Sequence, residues 1–174
     1  MRVISGSLKG KKLAENKFDH IRPTTDKVKQ ALFTKLQFDI EGARVLDVFC
    51  GTGALGIEAL SRGAAEVIFV DKNPKSIALT KSNLRALGLN AKTLTADATK
   101  ILKSFEGEFN LIILDPPYKS GLYSRVLEII AEKKLLASDG MIVCEHAKDE
   151  KIDFFPFKLI DQKRYGTIML SYLQ

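Results

Sequence analysis

The run Leu114-Asp115-Pro116-Pro117-Tyr118 gathers hydrogen-bond acceptors and almost no donors. Two successive prolines fix the backbone and remove two N–H groups. What remains is the Asp115 carboxylate, the Pro116 carbonyl and, past Pro117, the ring of Tyr118. That set suits a nitrogen that attacks poorly because its lone pair is delocalised, such as a nucleobase exocyclic amine or a carboxamide. Accepting both N–H hydrogens draws the nitrogen toward tetrahedral geometry and aims its lone pair, which is positioning and charge stabilisation rather than deprotonation. Tyr118 offers a stacking surface, worth about 1–3 kcal/mol per base in single-strand binders, for a base that is extruded or already unpaired. Taken alone, Asp-Pro-Pro is equally a rigid strand exit, so a second element must support the chemistry.

That second element is Asp47-Val48-Phe49-Cys50-Gly51-Thr52-Gly53-Ala54-Leu55-Gly56. It contains GxGxxG between a strand pattern and a helix pattern, where glycines allow a tight turn and close approach of backbone to ligand. Two ligand classes compete for such a loop. A dinucleotide sets its pyrophosphate on the helix N-terminus, whereas S-adenosylmethionine carries an amino group and a sulfonium. Asp47 tilts the choice, since a carboxylate against the ligand's polar head repels a pyrophosphate and favours a cation. Asp71, 20 residues after Gly51, suits ribose hydroxyls in either class. Asp97 suits the exocyclic amine of adenine or, as the alternative, a helix N-cap. Cys50, Lys72 and Ala98 flank these positions and complete the candidate cofactor set.

These residues need strand ends to hold them, and the rest of the chain supplies strands. Apolar runs at 43–49, 65–70, 91–96, 109–115 and 140–145 alternate with helical patterns at 54–62, 74–87, 98–105 and 124–136. Asn73-Pro74 is a helix start, with an N-cap residue before proline. Strand–helix alternation predicts right-handed crossovers and a mainly parallel sheet covered on both faces. Residues 157–173 hold two β-rich segments too close for a crossover helix, which predicts an antiparallel hairpin. Upstream, 26–38 reads as a helix capped by Thr24 or Thr25, and 1–20 as a small hairpin or arm around Gly6 and Gly10. The division falls near Gly42, giving a basic arm and helix over 1–41 and an α/β body over 42–174.

Charge reinforces that division. Residues 1–35 carry nine Lys/Arg and three acids, whereas 36–174 carry 18 of each sign. The whole net charge of +6 therefore sits in the first fifth of the 174 residues. Such asymmetry suits a polyanion, or else a solvated arm. A single domain of this length builds its own core without disulfides or a structural metal. Cys50 and Cys144 lack the spacing of a zinc site, and no metal is expected. No apolar run reaches the 18 or more residues of a membrane helix, and the N-terminus lacks a signal-peptide core, so a cytoplasmic protein is expected. It is expected as a monomer, because no exposed heptad or long apolar surface is evident.

With these motifs in order, the chain resembles class I S-adenosylmethionine-dependent methyltransferases acting on amino nitrogens. The segment Arg22-Pro-Thr-Thr-Asp-Lys-Val-Lys-Gln-Ala-Leu-Phe33 further resembles the signature of bacterial small-subunit ribosomal RNA guanine-N2 methyltransferases, the RsmD type. Gly53 to Gly63, Arg164-Tyr-Gly-Thr167 and the early Arg2 to Leu13 are similar to the same family, so the likeness spans essentially the whole chain. It implies a Rossmann-like class I methyltransferase fold, α/β, with a mainly parallel seven-stranded sheet, a C-terminal antiparallel hairpin, helices on both faces and a small basic N-terminal extension. It also implies methyl transfer to the N2 amine of one guanine in 16S rRNA, within a 30S particle. Asp115, Pro116, Pro117 and Tyr118 would be the catalytic set. Asp47, Gly51, Gly53, Asp71 and Asp97 would hold the cofactor. Arg22, Thr24, Thr25 and Asp26 would line the RNA side, with Arg2, Lys9, Lys11, Lys12 and Arg164 as further RNA contacts. Ser5 and Cys50 depart from the family's usual glycine and alanine.

Several residues stay in structural roles. Cys50 has no histidine to activate it, so packing is expected, and Cys144 is expected inside a strand. His20 and His146 are too far apart in sequence to suggest a metal pair. Phe154, Phe155 and Phe157 are expected in core or hairpin packing. The rival functions are methylation of DNA adenine N6 or of a protein glutamine, an NAD-dependent oxidoreductase suggested by the literal GxGxxG, and a noncatalytic RNA-binding assembly factor.

Overall fold

A computed structural model describes residues 1–15, 25–118 and 120–174; of the positions named above, His20, Arg22 and Thr24 lie outside them. One sheet holds β1 (Arg44–Val48), β2 (Glu66–Asp71), β3 (Lys92–Thr95), β4 (Phe109–Leu114), β5 (Leu136–Ala147), β6 (Leu159–Tyr165) and β7 (Ile168–Leu173). Their order is β3-β2-β1-β4-β5-β7-β6. The first five run parallel, and β7 lies antiparallel between β5 and β6. The expected C-terminal hairpin is therefore present.

Helices α1 (Asp26–Lys35), α2 (Ala54–Ser61) and α3 (Pro74–Ala86) cover one face; α4 (Ala98–Ile101) and α5 (Leu122–Glu132) cover the other. Covered on both sides, β1, β2 and β4 are apolar almost without a break. Val45, Leu111, Ile113 and Val143 pack toward α1–α3, while Leu46, Val48, Ile112, Leu114 and Ile142 pack toward α4 and α5. Thr25 caps α1, its Oγ1 accepting from the Val28 amide at 3.3 Å, and Asn73 caps α3 through the Lys75 amide at 2.9 Å.

Several boundaries differ from the sequence pattern; the helix read over 98–105 is α-helical only over Ala98–Ile101 and continues as a 3-10 turn over Leu102–Ser104. Helix α1 stops at Lys35, with Leu36 as its C-cap, rather than running to residue 38. Helix α5 stops at Glu132, and Lys134 turns the chain at φ 50°. Strand β5 begins at Leu136, which pairs with Phe109 ahead of a register shift. Phe155 is also exposed rather than packed, whereas Phe154 and Phe157 lie against the core.

The arm is stapled along α2. Its turn is closed by Val3 N–H to Lys11 C=O and Gly10 N–H to Val3 C=O, both 2.9 Å, and Val3 and Leu13 join the core. Glu58 of α2 accepts from the Ile4 and Ser5 amides at 2.7 and 3.0 Å. Ser61 takes the Leu8 amide on its Oγ at 3.0 Å and the Ser7 amide on its carbonyl at 2.8 Å. Gly6 is obligatory there, because at φ 81° a Cβ would come within 1.8 Å of the Ser61 carbonyl oxygen. Beneath the arm, the fully buried Lys29 donates to the Arg2 carbonyl and lies 3.7 Å from Glu58; burial lowers the Lys29 pKa against the opposing pull of Glu58.

At the far margin, Lys35 bonds Asp161 of β6 at 2.7 Å. Strand β6 breaks register between Leu159 and Asp161. Among the described residues, no helix is long and apolar enough to cross a membrane, and no group of metal-ligating side chains is assembled.

Candidate active site

The strand order reverses between β1 and β4, and in open α/β sheets ligands bind at the carboxyl end of such a reversal. The glycine loop leaves β1 there, and Asp115-Pro116-Pro117-Tyr118 leaves β4 beside it. The topology thus brings together the two elements that the sequence singled out separately.

An open pocket with about 350 Å³ of atom-free space lies at this edge, lined by Phe49, Val70, Asp71, Lys72, Ala96, Asp97, Ala98, Thr99 and Leu122. Asp71 pins the glycine loop: its carboxylate accepts from the Gly51 amide at 3.0 Å and the Asn73 amide at 2.8 Å. A carboxylate offers about four acceptor positions, so ribose hydroxyls can still bind it. Asp97 caps α4 through the Thr99 amide at 2.9 Å and also lines the pocket. The Thr99 side chain and amide hold its pKa low.

The loop is packed against the body. Gly53 sits at φ 77°, where a Cβ would reach within 2.7 Å of Thr80, and a Cβ on Gly56 would meet Phe69 at 2.3 Å. Cys50 is buried, 3.7 Å from the Thr80 hydroxyl, and burial pushes its thiol pKa up, so it packs and does not attack. Asn83 ties the end of the arm to this loop, its amide donating to the Ala14 and Thr52 carbonyls at 3.2 and 3.0 Å.

Asp47 is buried and accepts from the Gly56 amide at 2.9 Å. Its carboxylate therefore occupies the first turn of α2, where a pyrophosphate would have to sit. Burial, followed by the Asp71 charge, raises its pKa to about 7 against the opposing Gly56 hydrogen bond. An acid at this point, beside a pocket with apolar walls and two further carboxylates, accommodates S-adenosylmethionine and disfavours a dinucleotide.

Asp115 follows β4 and is half-buried, with Pro116 buried and Tyr118 exposed. Burial raises the Asp115 pKa well above the usual carboxylate range, and the charges of Glu145 and then Asp47 add to it. Strand alternation puts these three carboxyls on the face of α1 and α2. Glu145, near the end of β5, is a neighbour of Asp115 that the sequence reading missed. A charged residue closing an apolar strand at this edge was its signal. Phe49 and Leu122 were also missed. Phe49 lies at φ 68°, unusual for a non-glycine residue, and Leu122 meets the pocket only through the tertiary fold.

The candidate RNA contacts divide by position. Thr25 and Asp26 open α1, whose other end reaches β6 at the opposite edge through Lys35. Arg164 lies near the end of β6, paired with Met169 of β7, and donates to the Gly166 carbonyl at 2.9 Å. Arg2 pairs with Asp26 at 3.3 Å. Lys9, Lys11 and Lys12 are exposed on the arm. His146 lies inside the fold, its ring bonded to the Ala147 carbonyl at 2.9 Å and the Ser171 hydroxyl at 2.8 Å. Cys144 is buried in β5 as expected.

Comparison with known proteins agrees with this arrangement. A family model described as "Conserved hypothetical protein 95" matches residues 1–174. A Bacillus subtilis protein named "Putative rRNA methyltransferase YlbH" is 45% identical over 157 residues, covering 87% of this chain and 85% of that one. The Escherichia coli K12 protein named "Ribosomal RNA small subunit methyltransferase D" is 32% identical over 157 residues, covering 90% and 79%. Among solved structures, "Putative methyltransferase yhhF" from Escherichia coli superposes with a TM-score of 0.90 at 31% identity, over 100% of this chain and 97% of that one.

Proposed function

We propose that this chain, which belongs to the family described as Conserved hypothetical protein 95, is an rRNA methyltransferase that modifies the exocyclic N2 amine of one guanine in small-subunit RNA. The observation that carries the reading is the pairing of an acceptor-only corner, Asp115-Pro116, with a glycine loop whose helix start is taken by Asp47. The names of its relatives support RNA of the small ribosomal subunit as substrate.

When bound, S-adenosylmethionine supplies an electrophilic methyl group on a sulfonium and is converted to S-adenosylhomocysteine. Asp71 would hold the ribose, Asp97 the adenine amine, and Phe49, Ala96 and Leu122 the flat base, with Lys72 and Ala98 at the pocket rim. Cys50, Gly51 and Gly53 shape the loop, and the negative charge of Asp47 beneath it would favour the amino and sulfonium end. Asp115 and the Pro116 carbonyl accept the two N–H hydrogens of the target amine. They turn its lone pair toward the methyl group and stabilise the positive charge that grows on nitrogen. The proton left surplus on the methylated nitrogen would pass through Asp115 to water. Tyr118 stacks on the base, and Pro117 keeps the corner rigid.

Residues 1–41 form the RNA-binding extension and 42–174 the catalytic body. Thr25, Asp26, Arg22 and Thr24 line the RNA side, with Arg2, Lys9, Lys11, Lys12 and Arg164 on phosphates. The enzyme acts as a monomer on a 30S particle in the cytoplasm. Mass mapping of methylated nucleosides in rRNA from cells lacking the protein tests this reading. Loss of a single N2-methylguanine from 16S rRNA is expected. An unchanged 16S pattern, or loss of a mark on another atom, would overturn it.

A further inference from the structure

We infer that Glu145 is a specificity residue that accepts the N1–H of the target guanine, next to the amine held by Asp115. This rests on the methyltransferase reading and adds to it the group that tells guanine from adenine. Leu114 of β4 pairs with Cys144 of β5, so Asp115 and Glu145 are the next residues on adjacent parallel strands, about 4.8 Å apart across a sheet. Both follow residues that face α5, which places their side chains on the opposite face together.

Glu145 is only 2% exposed, yet it follows the apolar, buried run Ile142, Val143 and Cys144 of β5. Its charge bears directly on the Asp115 carboxyl, second only to burial itself. The strand end is also held firmly. The Tyr123 hydroxyl donates to the Glu145 carbonyl, and His146 is fixed from both ring nitrogens. With its backbone held this way, Glu145 keeps a fixed place on the strand beside Asp115.

Guanine suits these two neighbouring acids, because its edge presents the N1–H donor beside the two N2–H donors. Asp115 and Pro116 take the amine hydrogens, and an acceptor one strand over takes N1–H. Adenine presents a bare N1 lone pair beside its amine, which offers no hydrogen for an acceptor at Glu145 to take. A donor-rich edge also relieves the crowding of two neighbouring carboxyls. Sites built to hydrogen-bond a substrate group reject analogues lacking it more strongly than apolar pockets reject a missing methylene.

The test uses 30S particles whose rRNA carries either guanine or 2-aminopurine at the mapped position. 2-Aminopurine keeps the amine and lacks the N1 hydrogen. Wild type should favour guanine by about 100-fold in kcat/KM, and in particle affinity measured with S-adenosylhomocysteine bound. In Glu145→Gln, whose amide both donates and accepts, that ratio should narrow to within about tenfold. The affinity for S-adenosylhomocysteine should stay within about twofold, showing that the fold and cofactor pocket persist. An unchanged ratio in Glu145→Gln would overturn the inference while leaving the methyltransferase reading intact. If that variant fails to fold, wild type decides alone, and a ratio below tenfold overturns the inference. No transfer by wild type to the guanine particle would overturn the underlying reading itself.

Discussion

The carboxylate of Asp47 accepts a hydrogen bond from the Gly56 amide at 2.9 Å, joining the middle of β1 to the first turn of the helix that follows it. The contact has two consequences. It anchors the glycine loop from below, and it puts an acid where dinucleotide-binding folds place phosphate oxygens. The same GxGxxG spacing is thereby turned toward a ligand with a cationic head.

The titration of Asp47 gives a prediction about stability. Its pKa rises from 3.8 when unfolded to about 7 when folded. The native state therefore binds the extra proton between these values, and the stabilisation present at low pH is lost as pH climbs through that window. At roughly 1.4 kcal/mol per unit, the loss is on the order of 4 kcal/mol. Asp47→Asn should match wild type near pH 4 and exceed it above pH 7 in chemical denaturation. Parallel curves for the two proteins would contradict the assignment.

Asp115 accepts amine hydrogens and offsets developing positive charge best when ionised, and its pKa lies well above the usual carboxylate range. The rate should consequently rise with pH on a limb displaced upward from ordinary carboxylates. Asp115→Ala should lower turnover about 10²–10³-fold, the scale of losing one group aimed at developing charge. Its affinity for S-adenosylhomocysteine, read by calorimetry, should hardly change. Asp115→Asn keeps one acceptor oxygen, so it should retain intermediate activity without the acid limb.

Glu58 receives Lys29, Arg62 and two arm amides. Glu58→Ala should cost about 3–5 kcal/mol, since it leaves a buried ammonium uncompensated. Adding Lys29→Met should restore part of that stability, with the Ile4 and Ser5 amides still short of a partner. Thermal unfolding of the three proteins measures both effects, and full recovery in the double variant would mean that the arm amides contribute nothing.

Neutralising Lys9, Lys11 and Lys12 together should weaken RNA binding and reduce the slope of log affinity against log salt. The slope should fall by about 0.7 for each single-strand phosphate that the arm no longer neutralises. A slope identical to wild type would remove the arm from the RNA interface.

The two halves of the site were readable separately, because each is a short run with unusual chemistry. Asp115 to Tyr118 shows by its prolines, and Asp47 to Gly56 by its glycines. Their meeting at the β1–β4 reversal follows from alternating strands and helices, which the apolar runs display. Leu122 and Glu145 escaped because their importance depends on which strands become neighbours. The early start of β5 was hidden by Ala137-Ser138-Asp139-Gly140, a turn-like run that pairs as strand only because Leu136 finds Phe109 across a register shift. The C-terminal hairpin was legible from spacing alone, since no crossover fits between β6 and β7.

The register break in β6 bears on how the molecule associates. This strand is one margin of the sheet, and past the break it carries Asp161, Lys163 and Arg164. A chain attempting to zip on would meet a kink and then charges of both signs. The opposite margin, β3, is four residues long. With neither border inviting ladder growth, encounters with other macromolecules are left to side-chain surfaces, and the molecule resists stacking into fibrils as its concentration rises.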